Sequence, residues 1–206
     1  MVDPVYIVGA GLGMAFLLGL IKKAGKDAAA TVMLLTLVFM TFVSVQWLYS
    51  TLFAGASPHY TFTAGFQPPF SISLLMGKTE AFFTTLINAA GLLGGLYLWE
   101  RLKKQGANAM IVFLLLFVGL NVMVMTRDIF NLFVFLEISS VAIVGLVLIQ
   151  KEDQAIAAGF KYLIATGIIS GIMLIGIIFV YQYAGSLYIN DIIENDLTTI
   201  KGGLLA

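Results

Sequence analysis

The sequence contains no cysteine and only one histidine, His59, among its 206 residues. Without thiols the chain can form no disulfide, no thiolate metal site and no iron–sulfur cluster of its own. A single histidine without cysteines or clustered carboxylates also supplies too few ligands for a metal site. We therefore expect no metal and no cofactor on this chain, so that any associated redox chemistry belongs to a partner.

Charge is scarce and evenly balanced. Only 11% of the residues are charged and the formal net charge is zero, so nothing indicates a nucleic-acid partner. Hydrophobic residues make up 60% of the chain and the mean hydropathy is +1.01. These values are far from those of a soluble domain and indicate a multi-pass integral membrane protein.

Several apolar runs are long enough to cross a bilayer, which takes about 20 helical residues. We predict an all-α membrane domain over residues 1–206, with an outer loop at 55–79 and an outer polar segment at 184–206 that ends in the possible start of a seventh helix. In the first run the lysines follow the apolar stretch, the reverse of a signal peptide, so we expect that helix to be retained. The six predicted spans are roughly 4–22, 29–54, 80–99, 108–126, 128–150 and 155–183.

The distribution of basic residues predicts the orientation. If the N-terminus is outside, seven of the eleven basic residues fall in inside loops, which favours this arrangement. The outer loop then carries Pro58, Pro68 and Pro69 beside aromatic residues, and we expect an extended or short-hairpin cap there because proline cannot donate in a helix or a central strand. The seven inside residues are Lys22, Lys23, Lys26, Arg101, Lys103, Lys104 and Lys151.

Small residues interrupt the third and sixth runs and are expected to let helix backbones approach closely. The sixth run is also long enough to be tilted, or to be broken near Gly167 or Gly171. The small residues concerned are Gly91, Gly94, Gly95, Gly159, Gly167, Ser170 and Gly171.

Two opposite charges lie within the predicted fifth and sixth spans. Glu137 is ten residues after Arg127, and Lys161 is ten residues after Lys151 on the following antiparallel helix, so each is roughly 15 Å deep. A charge in that position costs on the order of 3 kcal/mol. The structural alternative is a static Glu–Lys pair between the helices. The functional alternative is a proton or ion relay, because low dielectric moves both pKa values toward the range where protons exchange.

Further polar residues surround this pair. Ser140 is placed to hydrogen-bond the Glu137 carboxyl, and Asn131 adds a polar group within the span. Arg127 and Asp128 lie at the outer edge, where we expect solvated helix-end charges, with Asp128 favourably placed at a helix N-terminus. Asn88 and Asn121 are expected to make helix-packing hydrogen bonds.

Residues 126–192 resemble the antiporter-like subunits of Mrp-type cation/proton antiporters, respiratory complex I and membrane-bound hydrogenases. The resemblance rests on an aspartate followed by FNLFVFLEI, then GFKYL, then YAGSLYINDI. It implies a non-catalytic, proton- and/or sodium-translocating subunit in a prokaryotic plasma membrane. In residue terms, Glu137 matches the family's fifth-helix glutamate and Lys161 matches its sixth-helix lysine.

The same resemblance implies partners. Members of the family have roughly fourteen helices in two inverted repeats, and their glutamate pairs with a lysine on a broken seventh helix. This chain corresponds to the N-terminal half of such a module, so other membrane subunits of an Mrp, hydrogenase or complex-I-like assembly would supply the seventh helix and second repeat. The alternative is a structural scaffold, or a split half-module, that docks partners without translocating ions. Whether the chain is naturally split or part of a longer product stays open.

Overall fold

A computed structural model describes residues 2–20, 25–62, 66, 71–149 and 153–194. Within these ranges the chain consists of helices joined by short connections, with one small antiparallel hairpin of two strands. The helices are α1 (Val5–Leu20), α2 (Lys26–Leu52), α3 (Lys78–Tyr97), α4 (Trp99–Gln105), α5 (Ala107–Met125), α6 (Ile129–Leu148), α7 (Asp153–Ala184) and α8 (Ile189–Glu194). The strands are β1 (His59–Phe62) and β2 (Ser73–Met76).

The helices α2, α5, α6 and α7 are long and apolar enough to cross a membrane, in a search of the described residues alone. Helices α3 and α4 meet at a bend of 72° and could together form a further span, while α1 is apolar but only 16 residues long. The predicted count of six spans and the N-out orientation stay predictions. Helix α7 runs unbroken through Gly167 and Gly171, which excludes a break there and leaves a tilt. The predicted start of a seventh helix lies outside the described residues.

Helix α5 occupies the centre of the bundle. It packs against α1, α2, α3, α4 and α6, and its residues Met110, Leu114, Val118 and Val122 are fully buried. Apolar residues around the whole circumference of a helix are typical of such a central position. Helix α7 is the opposite case, since it packs mainly on α6 and leaves most of its apolar surface uncovered.

Glycines at the helix contacts allow this close packing, as predicted for Gly91, Gly95 and Gly159. A Cβ atom at Gly91 would lie 2.9 Å from the Phe117 ring, and one at Gly159 would lie 2.9 Å from the Leu148 side chain. At Gly167 and Gly171 an added Cβ would meet nothing within 4 Å in this chain, so a packing role for these two stays a prediction. Those two glycines lie on the uncovered part of α7.

The predicted hairpin cap is confirmed by the pairing of β1 with β2. His59 attaches this hairpin to the bundle: its ring lies 5.5 Å from that of Trp47, and its Nε2 is 3.3 Å from the Asp3 carboxylate. Burial acts to raise the pKa of Asp3, but hydrogen bonds from the Val5 amide, Thr61 and His59 hold it below its ordinary value of 3.8. Pro68 and Pro69 lie outside the described residues.

Candidate functional site

Glu137 lies in the middle of α6, eight residues after Ile129 and eleven before Leu148. Helical spacing places it on the same face as Phe130 and Val141, which are 44% and 58% exposed. The opposite face of α6 packs against α5, where Ser139 and the carbonyl of Phe135 contact Gly119. The glutamate therefore points away from the centre of the bundle, toward the side where α7 packs.

The Glu137 carboxylate has a fully enclosed oxygen, Oε1, with no hydrogen-bond partner among the described residues. Several buried hydroxyls in the long helices are satisfied locally: Thr36, Thr84 and Ser139 each donate to the carbonyl four residues earlier, at 2.8 Å. An enclosed carboxylate oxygen without a partner is energetically unfavourable. Within the described helices Gln46 Oε1 of α2 is likewise enclosed without a partner, so Glu137 is distinguished from it by being ionisable.

Ser140, the predicted partner of that carboxyl, makes no hydrogen bond to Glu137. Its neighbour Ser139 is the buried hydroxyl, and it faces α5, where it bonds the Phe135 carbonyl and lies 3.9 Å from the Met123 sulfur. The two serines differ by about 100° around the helix, which is enough to place them in different environments.

Lys161 lies on α7, eight residues after Asp153, or about 12 Å along the helix axis. Its side chain is exposed, as are those of its neighbours Phe160 and Ile164. Among the described residues no ion pair joins Lys161 to Glu137, so this chain by itself does not form the static Glu–Lys pair. Gly159, two residues before Lys161, packs beside Leu148 and Val144, so Lys161 lies nearer the C-terminal end of α6 than Glu137 does.

Arg127 does not match its prediction as a solvated helix-end charge. Its guanidinium forms an ion pair with the carboxylate of Glu80 at the start of α3, and the two side chains are only 22% and 12% exposed. The other Glu80 oxygen accepts the Gly77 backbone amide at 3.0 Å. Sequence reasoning missed Glu80, because its reach back to the Gly77 amide is only half of a capping box and glycine lacks the serine or threonine side chain that marks one in sequence.

Asp128 caps α6, which confirms its predicted placement at a helix N-terminus. Its carboxylate accepts the Asn131 amide at 2.7 Å, and the Asn131 side chain donates to the Thr126 hydroxyl at 2.9 Å. Asn131 therefore belongs to the cap rather than to the surroundings of Glu137.

The backbone around Arg127 holds the start of α6 between two other segments. Its amide donates to the Ser73 carbonyl of β2 at 3.0 Å, and its carbonyl accepts the Ile189 amide of α8 at 2.9 Å. A further bond joins the Ile129 amide to the Leu187 carbonyl at 3.0 Å. The helix that carries Glu137 is thus anchored at its N-terminal end, about 12 Å from the carboxylate.

A buried amide pair joins α3 to α5 deeper in the bundle. The side chains of Asn88 and Asn121 exchange two hydrogen bonds of 3.1 and 2.8 Å, as expected of packing contacts between membrane helices. Asn121 also donates to the Phe117 carbonyl at 2.7 Å. Because these amides satisfy one another, they are structural groups rather than candidates for ion transfer.

These features define a class of protein: a multi-pass helical membrane subunit in which one helix carries, at its middle, a carboxylate oxygen that no described residue hydrogen-bonds. The family model described as NADH:quinone oxidoreductase/Mrp antiporter, TM matches residues 126–205, the segment that contains both Glu137 and Lys161. Residues 126–205 thus match the transmembrane domain of this family, and the chain is similar to antiporter-like membrane subunits.

Two curated relatives show the range of the family. The chain is 33% identical over 124 residues to the D-type subunit of a probable K(+)/H(+) antiporter of Rhizobium meliloti, a match covering 60% of this chain and 23% of the relative. It is also 33% identical over 149 residues to the N-type subunit of the NADH-quinone oxidoreductase of Desulforudis audaxviator, covering 70% of this chain and 29% of the relative. The chain thus spans less than a third of either relative.

The fold matches a solved structure over nearly its whole length. A chain of the membrane-bound sulfane sulfur reductase, an archaeal respiratory membrane complex, superimposes with a TM-score of 0.85 at 27% sequence identity. The match covers 92% of this chain and 39% of that one. The helical arrangement described above is therefore that of an antiporter-like subunit.

Proposed function

We propose that this chain is the ion-translocating part of an antiporter-like subunit, in which Glu137 takes up and releases the transported proton or exchanges it for sodium. The observation that carries the proposal is the enclosed Glu137 Oε1, which has no hydrogen-bond partner among the described residues. A carboxylate kept in this state in a membrane helix is costly and has no packing role that leucine could not fill.

Lys161 is proposed as the second charge of the relay. The contact of Gly159 with Leu148 and Val144 offsets Lys161 from Glu137 by roughly 10 Å along the helices, a gap that a short water chain could bridge. Glu137 and Lys161 do not form an ion pair with each other in this chain. Each can therefore interact with a third polar or charged group. In the transfer step a proton leaves the Glu137 carboxyl group and binds to a neighbouring acceptor such as a water molecule.

The third group is proposed to come from a partner. Exposing Lys161 to hydrocarbon costs on the order of 3 kcal/mol, and the apolar residues beside it are uncovered. A further membrane polypeptide that packs on α6 and α7 would cover Lys161 and supply the missing partner of Glu137. The similarity to a chain of a multi-subunit respiratory complex supports such an assembly in a prokaryotic plasma membrane.

The test is a transport assay on vesicles that contain the assembly purified through a tag on this chain. We expect Glu137→Gln to lower proton-coupled cation transport by at least about tenfold, because the amide cannot carry a proton, while subunit composition stays unchanged. Glu100→Gln is the matched control: it makes the same chemical change on an exposed side chain of α4 and should transport normally. Unchanged transport by an intact Glu137→Gln assembly would exclude the relay.

A structural scaffold is the second candidate, favoured by the buried and fully satisfied Asn88–Asn121 and Glu80–Arg127 contacts. A scaffold needs these contacts and the packing glycines, but it does not need a charge at position 137. It therefore predicts normal transport in Glu137→Gln and failed assembly when the helix contacts are altered.

A further inference from the structure

A cavity of about 360 Å³ lies between α4, α5 and α6, at the C-terminal end of α6 and away from Glu137. Its walls are almost entirely apolar, with Phe113 from α5 and Ile143, Leu146 and Val147 from α6. The polar groups among the lining residues are the side chains of Arg101 and Gln105. A cavity with so few polar groups suits a hydrocarbon chain rather than a polar metabolite.

Helix α4 forms one wall of this cavity with a single face. Leu98, Leu102 and Gln105 are spaced by three or four residues and all line the cavity, as does Arg101. The helix follows α3 after a bend of 72°, so it cannot continue along the direction of that span. A short helix with an apolar face, basic residues and Trp99 at its start is typical of a membrane–water interface.

The positive charge beside the cavity is available for a ligand. Lys103 is paired with Asp27, but no ion pair involves Arg101 among the described residues. Lys26 reaches the same helix, where its Nζ donates to the Lys104 carbonyl at 3.2 Å and adds another cation nearby. Basic pockets between membrane helices bind anionic lipid headgroups.

We propose that this cavity binds an anionic phospholipid, with one acyl chain against Phe113 and Leu146 and the headgroup phosphate on Arg101. An apolar cavity with a cation at its polar side matches both ends of such a molecule. The site is independent of the ion relay, because its residues lie on other elements or beyond Glu137 toward the C-terminal end of α6.

The experiment uses the tagged assembly in vesicles that contain phosphatidylglycerol or phosphatidylcholine with the same photoreactive acyl chain. After illumination, mass spectrometry measures labelling of residues 98–113 and 143–149. We expect phosphatidylglycerol to label this region about fivefold more strongly, the effect of one favourable cation at an anionic lipid. Equal labelling by the two lipids, or none, would overturn the proposal.

Two variants with matched controls locate the contacts. Arg101→Gln should abolish the preference for phosphatidylglycerol, whereas Lys104→Gln, on the same helix but outside the cavity lining, should keep it. Leu146→Trp, which fills the cavity, should reduce labelling by both lipids, whereas Leu93→Trp at an exposed position should not. Loss of labelling on addition of inorganic phosphate would indicate a simple anion site and would also overturn the proposal.

Discussion

At the scale of single residues, the buried Glu80 and the half-buried Glu137 have opposite surroundings. Glu80 has both carboxylate oxygens engaged, one by Arg127 and one by the Gly77 amide. Glu137 has an enclosed oxygen that no described residue contacts by a hydrogen bond. A buried acid with full hydrogen bonding stabilises one arrangement, whereas an enclosed carboxylate oxygen without a hydrogen bond is energetically unfavourable and would be stabilised by a new partner.

The Glu80–Arg127 pair should behave as a coupled structural unit. We expect Glu80→Gln and Arg127→Gln each to lower the free energy of unfolding by about 2 kcal/mol, because each leaves a largely buried charge unpaired. The double variant should lose less than the sum, with a coupling of about 1 kcal/mol or more. Denaturant unfolding in detergent measures all three.

The exposed Asp27–Lys103 pair is the control for that cycle. The Asp27 side chain is 82% exposed, so the same substitutions there should give a smaller coupling than at Glu80 and Arg127. Equal couplings for the two pairs would contradict the structural role assigned to Glu80 and Arg127.

Local rules predict some residue roles and miss others. Asp128 is predicted as a helix-end charge from its position just before an apolar helical run, and the structure shows it capping that helix. The Arg127 pair joins residues 47 positions apart, and no local pattern brings them together. Glu137 stands out in the sequence as a charge in an apolar run, but its lack of a partner among the described residues depends on tertiary packing.

At the scale of helices and strands, hydropathy predicts most of the elements. The helices α2, α5 and α6 coincide closely with predicted apolar runs, and the proline-rich outer loop contains the predicted hairpin. The bend between α3 and α4 is not predicted, because the apolar run continues past Tyr97 and gives no break signal. The close contacts of glycines are predicted only in part, since they depend on which helix faces meet.

The glycines of α5 and α7 should respond differently to substitution. Gly119→Ala places a Cβ against the Ser139 side chain and 3.1 Å from the Phe135 carbonyl, so we expect a loss of about 1–3 kcal/mol of stability. Gly171→Ala meets nothing within 4 Å and should be neutral or slightly stabilising. Thermal unfolding of this chain in detergent measures both, and equal effects would contradict the assigned packing.

At the scale of the whole molecule, α7 is the least covered of the four long apolar helices that the described residues contain. Its buried residues are Gly159, Ser170 and Ile177, and its exposed lysine and long apolar surface need a covering. The partner proposed to pack on α6 and α7 would cover this surface.

Mild-detergent purification through a tag on this chain, followed by mass spectrometry, tests that expectation. We expect co-purification of further membrane polypeptides, including one that cross-links to a photoreactive residue at Ile164, on the exposed face of α7. A photoreactive residue at Leu114, which is fully buried in α5, is the control and should give no intermolecular product. Recovery of this chain alone would contradict the partner and leave Glu137 without the group the relay requires.

Infrared difference spectroscopy of the Glu137 carboxyl tests the central claim most directly. In the active assembly, we predict a protonated-carboxyl band that changes when a cation gradient is applied, is lost in Glu137→Gln and persists in the exposed Glu100→Gln control. Such a result would show Glu137 gaining and losing a proton during transport. An identical band in Glu137→Gln, or no carboxyl change during transport, would contradict the claim that this residue carries the ion.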